Sequence, residues 1–199
     1  MTLSNPPTPL TLEPASLKRW TVRDYHKMSE TGLLDPHERT ELIAGQITLM
    51  AAKGTLHVTS LYLLVNTLRD KLGNSVLIRT QDPIQLDDLS EPEPDLAIVR
   101  GTVLDYATEH PRPSDVYLIV EVADRTLKYD CETKDKLYAL AGILDYWVLD
   151  VKNRQLHIFR DPTPTGYTSH LILAEPNRAA PLAFPDCEII LTSILPPMS

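Results

Sequence analysis

The sequence predicts an α/β fold: a mixed sheet with helices against it, its core running helix, three strands, helix, strand. Three observations carry this. Apolar residues at helical spacing fill 57–72 and stop at Gly73. Three β-type apolar runs follow at 75–80, 95–99 and 116–122. A second helical pattern over 130–140 then separates the last of these from another apolar run at 145–151. A strand, a crossover helix and a strand over 116–151 should form a right-handed parallel unit.

Taken in order, the prolines at 6, 7, 9 and 14 make residues 1–15 an extended arm, because proline donates no backbone hydrogen bond and holds its predecessor extended. Residues 16–199 are then expected to form a single domain. Residues 20–30 read as a short amphipathic helix with Thr21 as candidate N-cap and Gly32 as stop. Residues 41–50 read as a hairpin turning at Ala44-Gly45. The 57–72 helix places Val58, Leu61, Leu64, Val65, Leu68 and Leu72 in its apolar pattern. After 145–151 the chain turns at Lys152-Asn153 into a strand at 155–160, and the tail alternates weakly at 168–173 and 188–191.

Composition narrows the function classes. With 43% hydrophobic and 23% charged residues the chain is neither disordered nor collagen-like. The net charge of −8 argues against broad attraction to nucleic acid or anionic membrane but leaves room for a local basic groove. No apolar stretch approaches the roughly 20 residues of a membrane span, and the first residues lack a basic-then-apolar signal organisation, so a cytoplasmic protein without a membrane partner is expected. Cys131 and Cys187 suit a reducing compartment; Cys131 reads as a thiol at a helix start, since no CxxC accompanies it. The sequence lacks a GxSxG elbow, a phosphate loop and a GxGxxG turn. His37-Glu38-Arg39-Thr40-Glu41 misses HExxH, because Glu41 stands where the second imidazole belongs.

The informative anomaly is Glu121 in the run Val116–Ala123. Alternation puts Tyr117, Ile119 and Glu121 on one side and Val116, Leu118, Val120 and Val122 on the other. Both sides are apolar, as in a strand buried on two faces. A carboxylate there needs a cation, a proton or several donors, unless the strand has already ended in water. Asp95 opens the neighbouring strand after Pro94, either as a turn aspartate or as a partner to Glu121 on one hard cation. Asp130, Lys134 and Tyr138 follow at i, i+4 and i+8 on one helix face, where an ammonium can turn back toward the acids or form a plain exposed pair with Asp130.

These residues resemble the PD-(D/E)XK nuclease superfamily, and within it the bacterial Uma-type restriction endonuclease family. The resemblance covers about residues 20–195. It is carried by Glu41-Leu42-Ile43-Ala44-Gly45-Gln46-Ile47, His57, Pro94-Asp95, Glu121-Val122-Ala123, Tyr129-Asp130, Lys134, Tyr138, Gly142 and Tyr146-Trp147. It implies a restriction-endonuclease-like core. One departure is visible: the superfamily lysine belongs two residues after the acid, where this chain has Ala123, and the Uma-type pattern places it on the next helix, at Lys134.

The resemblance implies that Asp95 and Glu121 bind Mg²⁺ or Mn²⁺ with the Val122 carbonyl, and that Lys134 holds or deprotonates the attacking water or steadies phosphate charge. Glu41 is implied as a further metal ligand or a partner of Lys134, and His57 as a group near the scissile bond. DNA is the implied substrate, with Lys18, Arg19, Arg23, Lys27, Lys53, Arg69 and Arg79 as the available phosphate-contacting bases. A homodimer suits a two-stranded substrate. Two other readings stand beside the metal-dependent endonuclease: a catalytically silent binding or assembly module, and a metal-dependent hydrolase of a smaller phosphate ester. Tyr146, Trp147 and Phe159 are read as core rather than base-stacking aromatics.

Overall fold

The computed structural model describes residues 17–197; the arm expected at 1–15 lies outside the described residues. In chain order the elements are α1 (Val22–Glu30), β1 (Thr40–Ile43), β2 (Gln46–Leu49), α2 (Thr55–Leu72), β3 (Leu77–Arg79), β4 (Leu96–Val99) and β5 (Val116–Ala123). There follow α3 (Leu127–Tyr129), a π-helical turn (Asp130–Lys134), α4 (Asp135–Leu140), β6 (Asp145–Asp150), β7 (Gln155–Thr163), β8 (Gly166–Ala174), β9 (Arg178–Ala179) and β10 (Ile189–Ile190).

Six strands form one sheet in the order β3-β4-β5-β6-β7-β8. Only β5 and β6 run parallel; the other neighbours are antiparallel. The parallel pair exists because α3, the π turn and α4 carry the chain back between β5 and β6, the long connection such a pair requires. Two strand pairs, β1 with β2 and β9 with β10, make separate ribbons.

Local chemistry explains the element ends. Thr21 is extended, its hydroxyl accepts the Asp24 N–H at 3.1 Å and the Asp24 carboxylate accepts the Thr21 N–H at 3.2 Å, so α1 starts at Val22 rather than Trp20. Ala44 and Gly45 both have positive φ, 49° and 78°, as a two-residue hairpin turn demands. A Cβ on Gly45 would fall 2.6 Å from that of Arg19, so close approach as well as φ calls for glycine.

The sheet is apolar on both faces. Leu96, Ile98, Leu118, Val120, Val122, Trp147 and Leu149 pack with Leu61, Leu64, Val65 and Leu68 of α2 and with the C-terminal Ile189, Leu191 and Ile194. On the other face Ala97, Val99, Ile119, Ala123, Tyr146, Val148 and Phe159 pack with Tyr138 and Ile143. Tyr146, Trp147 and Phe159 are therefore core aromatics. Strict alternation fails at the start of β5: Tyr117 packs toward α2 and Val116 toward the α4 side. The cause is a bulge, since Ile98 pairs with Leu118 while Val99 pairs with Val116, and the extra residue reverses the facing of everything before it.

The helix expected at 130–140 begins at Leu127 and contains a π turn. The Asp135 N–H reaches back to the Asp130 carbonyl, five residues earlier. Strand β8 is longer than the 168–173 run suggested, and β9 carried no readable alternation because it is two residues long.

Candidate functional site

Glu41, His57, Asp95, Glu121, Val122 and Lys134 all line one cleft, between the β1–β2 hairpin, the start of α2, the ends of β4 and β5, and the π turn. Glu121 lies in β5 opposite Val148 of β6 and does not leave the sheet. Its neighbours Val120 and Val122 face α2, so its side chain faces the π turn and α4. Asp95 immediately precedes β4, whose Leu96 pairs with Val120 of β5.

Each acid anchors the backbone of the other's strand region. The Asp95 N–H donates to Glu121 Oε2 at 3.3 Å, and the Val122 N–H donates to Asp95 Oδ2 at 2.9 Å. Gln81 Nε2 donates to Asp95 Oδ1 at 3.3 Å, and His57 Nε2 lies 3.0 Å from that same oxygen. Glu121 Oε1 accepts from Lys134 Nζ at 2.9 Å and from the Tyr138 hydroxyl at 3.0 Å. Lys134 Nζ also lies 3.2 Å from Glu41 Oε2, which in turn accepts the Glu93 N–H at 3.2 Å. Glu121 is only 4% exposed and Lys134 5%, so the ammonium faces two carboxylates and not bulk water.

Lys134 reaches them from within the π turn. Asp130 and Lys134, four positions apart, both face inward, and Glu132 and Thr133 between them are exposed. The plain Asp130–Lys134 pair of an exposed helix does not form; Asp130 Oδ2 accepts from the Thr126 hydroxyl at 2.6 Å instead, and the Asp130 carbonyl accepts from the Tyr146 hydroxyl at 3.0 Å.

Four carboxylates, those of Glu41, Asp95, Glu121 and Asp130, thus share a buried site with one ammonium and one imidazole. Burial pushes Glu121 up to about 8; Lys134 opposes the shift, and Asp95, Asp130 and Glu41 add to it. Burial likewise raises Asp130 to about 6 against the Thr126 hydrogen bond and Lys134. For Lys134, burial disfavours the ammonium, but Glu121, Glu41 and Asp130 outweigh it and hold the group above the usual lysine range. Asp95 stays below the usual range: burial opposes its ionisation, and His57 and the Val122 N–H more than compensate. His57 is raised, its burial outweighed by Asp95. The arrangement is an excess of negative charge held away from water.

Sequence reasoning missed several lining groups. Tyr138 was placed on the right helix face, yet its bond to Glu121 was not foreseen; Gln81, in an irregular loop, gave no signal. Of the seven bases considered for phosphate contact only Lys53 lines the cleft, joined by the unforeseen Arg125 and Lys128. Arg79 instead approaches Asp82 and Tyr106, and Arg23 and Lys27 line a different cleft. Burial pushes the Cys131 thiol up to about 12, which suits packing and not thiolate chemistry.

Among the described residues no helix is long and apolar enough to cross a membrane. No curated protein sequence matches the chain. A crystal structure described as that of a putative nuclease from Anabaena variabilis is similar in fold, with a TM-score of 0.68 over 87% of this chain and 96% of that one, at 13% sequence identity. This supports the restriction-endonuclease-like class of the sheet and its flanking helices. The model of the Uma2 family, described as "Putative restriction endonuclease", matches residues 22–193, and the chain belongs to that family.

Proposed function

We propose that the chain is a divalent-metal-dependent nuclease that hydrolyses DNA phosphodiester bonds at the Asp95–Glu121–Lys134 centre. The observation that carries this reading is Lys134 Nζ, buried and held between Glu121 and Glu41 at the edge of a cleft that also contains Asp95 and His57. An ammonium and several acids from separate elements, brought together out of water, are expensive to bury and serve no packing need that leucine would not meet.

The residues fit a hard cation. Carboxylate oxygens of Asp95 and Glu121 and the Val122 carbonyl suit Mg²⁺ or Mn²⁺, and all three residues line the same cleft. Bound there, the metal supplies Lewis-acid polarisation of a phosphate oxygen and acidification of a water. The remaining work belongs to the chain. Lys134, kept charged by two carboxylates, donates toward the phosphate and stabilises charge developing on it. Its raised pKa makes it a poor general base, so of the roles considered for it positioning and charge stabilisation fit better than deprotonation. Glu41 positions that ammonium. His57, paired with Asp95, is placed to hold or move a proton near the scissile bond. Lys53, Arg125 and Lys128 on the cleft wall are available to phosphates on either side.

The test is cleavage of supercoiled, linear and single-stranded DNA by the purified full chain with Mg²⁺ or Mn²⁺. Glu121→Gln and Lys134→Ala should each reduce the rate by at least about a hundredfold; cleavage unchanged by both overturns the reading. Activity confined to small phosphate esters in the same assay would point to the smaller-substrate hydrolase. A two-fold dimer belongs to this proposal as the arrangement suited to two DNA strands, and sedimentation of the free chain and of its DNA complex checks it.

One observation favours the silent-module alternative. No three metal-ligating side chains of this centre lie within 4.8 Å of one another, and Lys134 already neutralises part of its charge. Under that reading Mn²⁺ titration finds no site lost in Glu121→Gln.

A further inference from the structure

A second group of chemistry-bearing side chains lies outside the nuclease centre. His26, Glu91 and His110 each offer one ligand atom, and these atoms all lie within 4.8 Å of one another; among the described residues no other three do so. His26 Nε2 is 2.6 Å from Glu91 Oε1. The His26 and His110 rings meet edge to face, with centroids 6.3 Å apart and planes at 76°. The Glu91 side chain is 2% exposed, and its second oxygen, Oε2, is buried with no hydrogen-bond partner. An ionised carboxylate with an orphaned oxygen is costly to bury, and a cation between it and two imidazoles removes that cost.

The three residues are held by separate, fixed pieces of backbone. Glu91 is bridged to β1, donating its N–H to the Leu42 carbonyl at 2.8 Å. His26 rides on α1, whose first residue, Val22, donates to the Asp88 carbonyl at 2.8 Å. His110 precedes Pro111, whose carbonyl accepts the Gln85 N–H at 3.0 Å. Both histidines line a cleft shared with Glu30 and Glu109 and with Arg23, Lys27 and Arg112.

We propose that His26, Glu91 and His110 form a binding site for a borderline divalent metal of the zinc type, with a fourth position open to the cleft. Two imidazole nitrogens and one carboxylate oxygen are a donor set for Zn²⁺ and its neighbours Co²⁺ and Ni²⁺ and a poor one for Mg²⁺. The open side admits a water or an anion, and the basic residues of the cleft are suited to a small anionic ligand such as a carboxylate or phosphate. The bound ion ties α1 to the loops that precede β4 and β5.

The experiment uses the full chain without a histidine tag, stripped with chelator and titrated with Co²⁺ while visible absorption is recorded. A saturable one-to-one band that Zn²⁺ displaces is expected. His110→Ala and Glu91→Gln should each weaken Co²⁺ binding at least about tenfold, whereas Glu121→Gln should leave the band in place. Because Glu91→Gln alters a buried group and can disturb folding, the more exposed His110→Ala is the deciding variant. Absence of the band in the wild-type chain, a band unaltered by His110→Ala, or a band lost only with Glu121→Gln overturns the proposal.

Discussion

Two buried acids in this molecule, Glu121 and Glu91, meet opposite circumstances. Glu121 has an ammonium and a phenol on one oxygen and a backbone N–H on the other, and is surrounded by three further carboxylates. Glu91 has one histidine on one oxygen and nothing on the other, with a second imidazole beside it. The first environment is rich in oxygen donors and has an ammonium bonded to its acid; the second is rich in nitrogen, and its acid is paired with an imidazole. Donor chemistry therefore separates them: a hard ion suits the first, a borderline ion the second.

The largest effect expected is at Lys134. Lys134→Ala leaves Glu121 and Glu41 buried without their cation, which should cost about 3–5 kcal/mol in a denaturant titration as well as the cleavage loss given above. His110→Ala should leave cleavage intact. Loss of cleavage in His110→Ala would merge the two centres and break the comparison.

Next comes pH. Glu121 and Asp130 titrate higher in the folded chain, at about 8 and 6, than their ordinary values of 4.5 and 3.8. At these two groups the folded state holds more protons than the unfolded one between about pH 4 and 8, so their contribution to stability falls as pH rises through that window. In chelator, the unfolding free energy from denaturant titration should drop from pH 5 to 8 by an amount on the order of a few kcal/mol, and Glu121→Gln should flatten the profile. A chain that gains stability over this range would mean that the acids are better compensated than the geometry indicates.

A smaller effect sharpens the contrast in metal choice. Mn²⁺ binding should survive His110→Ala and weaken at least about tenfold in Glu121→Gln, the reverse of the Co²⁺ pattern; calorimetry on both variants reads it. The smallest is at the α1 cap. Thr21→Ala removes the hydroxyl that accepts the Asp24 N–H and should cost about 1 kcal/mol. Thermal unfolding measures this, and cleavage should not change.

Much of the fold was legible because its signals are local. The Gly73 stop, the Ala44-Gly45 turn and the apolar runs around β4, β5 and β6 are each written in a few adjacent residues. The bulge that reverses Tyr117 and Val116 was not legible, since it depends on the partner strand. The site divides the same way. Asp95, Glu121 and Lys134 stand out as charges in or beside apolar patterns, and the family resemblance joined them. Lys128 and Arg125 looked like any exposed bases, and only the folded cleft brings them to its wall. His26, Glu91 and His110 are separated by 65 and 19 positions, with no spacing that marks them as a set.

The π turn makes the stretch from Asp130 to Lys134 sensitive to length rather than to chemistry. Its outer residues, Glu132 and Thr133, are exposed and open to replacement. Deleting either would remove the residue that the wide turn accommodates and restore an ordinary helical pitch. Asp130 and Lys134 would then stand three positions apart instead of four, and Lys134 would have to reach Glu121 and Glu41 from a segment one residue shorter. Insertions and deletions here, more than substitutions, are the changes that should separate working copies of this chain from inert ones.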